Sequence, residues 1–220
     1  MNFENSKVLG GVGGILMFIG IIVIPYTFGL LELIGAILVL IAAKGFSDYY
    51  REAGIFNDTL YAIIMTVVGI VAFAVIAFLA LIDFTSSLGI SFVASNASDW
   101  ASQLSSINLA NVSMSVLTKF LGYVFLDLVV LFVFMVITSI MARKALKLLS
   151  EKTGVNLFRS TGTVLLVGAV LVIAFGLGMI LIWISTLMLA LAFFQTKSPP
   201  LQATSVQQPV QSNVATLQTQ

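Results

Sequence analysis

Between Lys7 and Lys44 the chain carries a single charge, Glu32, so the 36 residues 8 to 43 form one almost unbroken apolar run. As a helix this run would be about 54 Å long, against a bilayer hydrocarbon core of about 30 Å. It must therefore turn once. Pro25-Tyr26-Thr27-Phe28-Gly29 supplies the turn residues and an interfacial aromatic, which predicts a hairpin of two spans, about 8–24 and 28–43. Similar runs predict a third span at about 60–82 and a fourth at about 121–142. The last run, residues 160 to 196, is read as one long span over 163–194, with a hairpin folding at Gly176-Leu177-Gly178 as the rival. The expectation is an all-α polytopic membrane bundle of five transmembrane helices, six if the last run is a hairpin.

Composition excludes most alternatives. Sixty per cent of the 220 residues are hydrophobic and 9% are charged, where a soluble domain carries about 25% charged residues. There is no His and no Cys, which removes imidazole and thiolate metal ligands, Ser/His/Asp triads and disulfides. No nucleophile, base and metal set emerges, so the chain is read as non-enzymatic and without a cofactor. Ten bases against nine acids, dispersed along the chain, do not suggest a nucleic-acid surface.

Lys44 and Arg51 lie in the linker after span two, and Arg143, Lys144, Lys147, Lys152 and Arg159 in the linker after span four. The positive-inside rule makes both linkers cytoplasmic and the N-terminus with them, in a multi-pass plasma-membrane protein. The loop 83–120, with Lys119 as its one base, is then outside. Its apolar positions from Asp99 recur at near-helical spacing, and Asn96-Ala97-Ser98 and Asn111-Val112-Ser113 match the glycosylation acceptor pattern. The C-terminal tail is outside for five spans and inside for six. That tail, 197–220, holds six Gln and three of the four prolines and is expected to be disordered beyond a membrane domain of residues 1–196.

In the first inner linker, helical spacing pairs Lys44 with Asp48. The second inner linker reads as an amphipathic surface helix suited to anionic lipid headgroups, with Leu146, Leu149 and Leu157 on its apolar side. Two acids fall inside spans, Glu32 and Asp127, both towards the outer half. Such groups are costly in lipid unless paired, and a shared depth would let them share a polar cavity. Gly10 and Gly14 form a G-x-x-x-G, and Ala74, Ala77 and Ala80 line one side of span three, so these small faces are expected to pack helices within the chain or between copies.

The opening FENSKVLGGVGGILMFIG, the block GAILVLIAAKGFSDYYREAGIFNDTLYAII and the closing LMLALAFFQT resemble the prokaryotic, mainly archaeal, membrane proteins grouped as domain of unknown function 996. The resemblance covers residues 1 to about 196. It implies an integral membrane protein and no site residues, because that family has no established activity. Some members end in a short zinc-binding ribbon that this Cys-free tail lacks, and a cytoplasmic ribbon would favour six spans. Two functions are compatible with the residues. One is a scaffold or accessory subunit that assembles with copies of itself or a membrane-protein partner. The other is a small channel or transporter working through Glu32 and Asp127.

Overall fold

The computed structural model describes residues 2–88, 102, 113–172 and 176–197. Among them are six helices and no strand: α1 (Phe3–Thr27), α2 (Leu30–Tyr50), α3 (Ala53–Ser87), α4 (Met114–Thr153), α5 (Asn156–Leu171) and α6 (Leu177–Gln195). The helices pair as three antiparallel hairpins, α1–α2, α3–α4 and α5–α6, and further contacts of α2 with α3, α4 with α5 and α1 with α6 close the set into a ring. Five helices, α1 to α4 and α6, are long and apolar enough to cross a membrane, and α5 is a shorter apolar helix of 16 residues. The protein is a helical, multi-pass membrane protein.

Two boundaries differ from the sequence reading. Helix α1 runs through Pro25 to Thr27, and the turn is made by Phe28 and Gly29 at positive φ. Proline is tolerated there because it sits in the last helical turn, where losing one N–H costs one bond and the chain is about to reverse. The last apolar run is not one helix over 163–194. It is the hairpin α5–α6, with Gly176 at φ 73°, a left-handed conformation that glycine adopts without strain. The two helices then meet at Gly168 and Gly178, where a Cβ on Gly178 would overlap the carbonyl oxygen of Gly168. A small residue on each helix is what allows this backbone contact, and no polar residue is needed to mark the turn.

The main buried cluster lies at one end of the bundle. Phe3, Phe46, Ile55, Leu149, Phe158 and Phe193 all belong to it, bringing together the start of α1, the end of α2, the start of α3, the end of α4, the start of α5 and the end of α6. Phe46 is the hub, with ring centroids 5.2 Å from Phe3 and 5.8 Å from Phe193. Every Lys and Arg except Lys119 lies on the helix turns or joints at this end, the basic end of the bundle. Leu146 and Leu149, expected on a lipid-facing surface helix, are buried in this core, because α4 continues unbroken to Thr153 and presents them inward.

Because α6 ends beside α1 and α2, the tail leaves the fold at the same end as the N-terminus. A single Cys at Asn2 and another at Lys197, each in this Cys-free chain, are therefore expected to react with an impermeant maleimide from the same side of the membrane. Labelling from opposite sides would contradict the α5–α6 hairpin. The expected outer-loop helix from Asp99, the acceptors Asn96 and Asn111 and the disordered tail lie outside the described residues.

Candidate functional site

The α1–α2 and α1–α6 contacts are built from glycine. Gly10 faces the ring of Phe193, and Gly14 faces the backbone of Ala190, where a Cβ would stand 2.8 Å from the amide nitrogen and 2.9 Å from Cα. Gly13 and Gly35 meet face to face, each blocking a Cβ on the other with its carbonyl oxygen at 2.7 Å. Further along, Trp183 on α6 stacks on Phe18 with centroids 4.7 Å apart and donates its indole N–H to the Phe18 carbonyl at 3.0 Å. This satisfies a polar group that would otherwise be desolvated in lipid.

The α3–α4 pair is different. Three contacts set its register: Thr66 Oγ1 to Thr138 Oγ1 at 3.4 Å, a Cβ on Gly69 at 2.8 Å from Phe134, and Phe84 on Phe120 at 4.7 Å. In this register Asp127 falls opposite Ala77, and its neighbour one turn on is Ala80. Asp127 is 7% exposed, and its Oδ1 is the one buried side-chain polar atom without a hydrogen-bond partner among the described residues. Of the three alanines, Ala80 is buried, Ala77 is half-buried and Ala74 is exposed.

Glu32 belongs to another hairpin. It lies in the first turn of α2, half-buried, with its Cγ in the space that a Cβ on Gly20 would occupy. Along α2 it is about 18 Å from Lys44, whereas Asp127 is about 30 Å along α4 from Lys147, at ~1.5 Å per residue. The structure thus gives the two carboxylates different helix partners and different heights above the basic end. It does not bring them to one site.

Helix length explains this. From Lys44 to Leu30 α2 rises about 21 Å, while from Asp58 to Asp83 α3 rises about 38 Å. Measured from the joint at which Lys44 lies over the Phe56 ring at 5.4 Å, α3 and α4 outreach the α1–α2 tip. Helix α5 passes Arg143 at Gly162 and ends at Leu171, so among the described residues the far half of α4 is accompanied by α3 alone. In the most apolar stretch of α4 only 6% of residues are buried within the chain, against 39% in α2 and α6. Ala74, which is exposed, and Gly122, where a Cβ would meet nothing within 4 Å, stand on this part of the hairpin.

At the basic end the expected Lys44–Asp48 pair forms at 2.8 Å. Glu52 pairs with Lys152 of α4 at 3.1 Å, joining the α2–α3 joint to the α4–α5 joint. At roughly one-third exposure on each side chain such a pair contributes at most about 1 kcal/mol. Sequence reasoning missed the aromatic core here, although Phe46, Phe158 and Phe193 each stand within four residues of a base, where a lipid-only reading takes aromatics for interfacial anchors.

No solved structure matches the chain. It is 26% identical, over 88% of its own length and 93% of the other's, to an uncharacterised protein of Methanocaldococcus jannaschii. The match to the family described as "Protein of unknown function (DUF996)" extends over residues 31–187, from the first turn of α2 well into α6, and the chain belongs to that family.

Proposed function

We propose that the protein is a non-enzymatic membrane scaffold or accessory subunit whose assembly surface is the far half of the α3–α4 hairpin. The observation that carries this reading is the uneven burial. Two hairpins close on each other through glycine, while α3 and α4 extend past them with Ala74 and Gly122 uncovered. Small residues on an uncovered helix face let another helix approach closely, and in lipid such packing replaces the hydrophobic effect as the force of association. The occupant is a second copy of the chain or a membrane-protein partner, with the basic end facing the cytoplasm. Oxidative crosslinking of Gly122→Cys in native membranes is expected to give a disulfide-linked species above monomer mass, and Tyr26→Cys, on the short hairpin's tip, none. Monomer alone from Gly122→Cys and Ala74→Cys would overturn the assignment, and the mass of a crosslinked species separates self-association from a different partner.

One observation favours a transport reading. Asp127 Oδ1 is buried without a partner among the described residues, and an intramembrane carboxylate left so is a place where a cation or proton can be held. Its separation from Glu32 means that any such role belongs to Asp127 alone. Asp127→Asn in liposomes is expected to abolish ion-dependent flux and leave assembly intact; undiminished flux in that variant removes the reading.

A further inference from the structure

A cleft of about 310 Å³ opens between α4 and α5 at the basic end, lined by Ile140, Arg143, Lys144, Lys147, Arg159 and Leu166. It combines residues that are far apart in the chain. The α5 backbone comes close to α4 at Gly162, where a Cβ would lie 3.0 Å from Arg143 Cα and 3.2 Å from its Cγ. That approach sets Arg159, one turn earlier on α5, beside the three α4 bases. Ile140 and Leu166 lie on the membrane side of the four cations.

The charges are nearly unopposed. Lys147 reaches Glu151 at 3.8 Å, and Lys152 is turned away to Glu52. Arg143, Lys144 and Arg159 make no ion pair among the described residues. Neither helix supplies another acid near the cleft: Glu151 is the one acidic residue between Leu128 and the end of the chain, and Asp127, the other acid of α4, lies about 24 Å along the helix from Arg143. Holding four like charges around one cleft is unfavourable unless an anion joins them. The lining also selects the kind of anion. Guanidinium groups bind phosphate oxygens bidentately and ammonium groups add point charge, while an apolar wall continuing into the membrane is of no use to a free ion but suits the first carbons of an acyl chain.

We propose that the α4–α5 cleft is a binding site for the phosphate headgroup of an anionic phospholipid, with Arg143 and Arg159 gripping the phosphate, Lys144 and Lys147 adding charge, and Ile140 and Leu166 receiving the start of the chains. Phosphate recognition is shared with free phosphate, and lipid is the source to which the apolar wall points. Basic pockets between membrane helices at this interface are suited to such headgroups. The assignment does not depend on the scaffold reading, since it concerns a different face and a different end.

The test uses the full chain in detergent, titrated with phosphatidylglycerol or phosphatidylcholine and read by native mass spectrometry, with inorganic phosphate as competitor. Wild type is expected to retain phosphatidylglycerol in preference to phosphatidylcholine. The double variant R143Q/R159Q is expected to weaken that binding roughly 30-fold, from about 1 kcal/mol for each base near a headgroup. The control R51Q/K197Q, which removes the same charge at the same end away from the cleft, is expected to leave it unchanged. Both arginines are exposed, so the variant keeps its helical circular dichroism, which is measured alongside. Equal retention of the two lipids, or equal weakening in the control, overturns the site. Displacement of the lipid by inorganic phosphate at comparable concentration overturns the lipid as its occupant.

Discussion

Phe193→Ala is expected to destabilise the fold by about 3–5 kcal/mol, the range for truncating a fully buried aromatic ring. Phe193 is 1% exposed and packs edge-on against Phe158 at 5.0 Å and tilted against Phe46 at 5.8 Å. It lies at the basic end, where the core is shut off from water as well as lipid, so the transfer cost applies as in a soluble protein. Its ring also occupies the position a Cβ would need on Gly10, 2.5–2.6 Å from three ring carbons. The two sites are therefore coupled. Gly10→Ala alone drives α1 from the ring, but in the Phe193→Ala background the space is open and the second change costs little. A double-mutant cycle by thermal unfolding in nanodiscs should give a coupling of at least about 1 kcal/mol; costs that add within about 0.5 kcal/mol would show that the ring does not lie against Gly10.

The second large effect is expected from Gly14→Val. Where a flexible side chain faces a glycine it can move aside, but Gly14 faces the Ala190 backbone nitrogen and Cα at 2.8 and 2.9 Å. The helices must separate, at a cost of about 3 kcal/mol, the upper part of the range for overpacking. The separation also strains the Trp183–Phe18 hydrogen bond just over one turn away on α1. Gly122→Val, with nothing within 4 Å of its Cβ, is the matched control and should change the stability of the monomer by less than about 0.5 kcal/mol. If both variants unfold alike, intrinsic helix propensity rather than close packing sets the cost.

These two variants also show what can be read along the chain. G-x-x-x-G at Gly10 and Gly14 identified a helix-contact face, because small residues at four-residue spacing leave a flat strip. It could not identify α6 as the partner, nor separate Gly14, which faces backbone, from Gly10, which faces a ring. Lys44 and Asp48 were legible as a pair because both lie on one helix at fixed spacing. Glu52 with Lys152 was not, because the two residues are a hundred positions apart and meet only when two joints pack.

The same limit applies to the carboxylates. Counting residues inward from the ends of apolar runs puts Glu32 and Asp127 at one depth only if every run crosses the full membrane. The α1–α2 hairpin is shorter than α3–α4, and a depth counted inward from the far end fails when the far ends are not level.

Hydropathy and charge are sums over neighbouring residues, and the sequence by itself determined what such sums decide: an α-helical membrane protein, the places of its long apolar helices, and the gathering of bases into its linkers. Tertiary structure alone decided the fold of the last apolar run into α5–α6, the aromatic core at the basic end, the separation of Glu32 from Asp127, and the meeting of Arg159 with Arg143. Those depend on the register in which one helix packs against another, which is set by steric fit at a few glycines rather than by the average character of either helix.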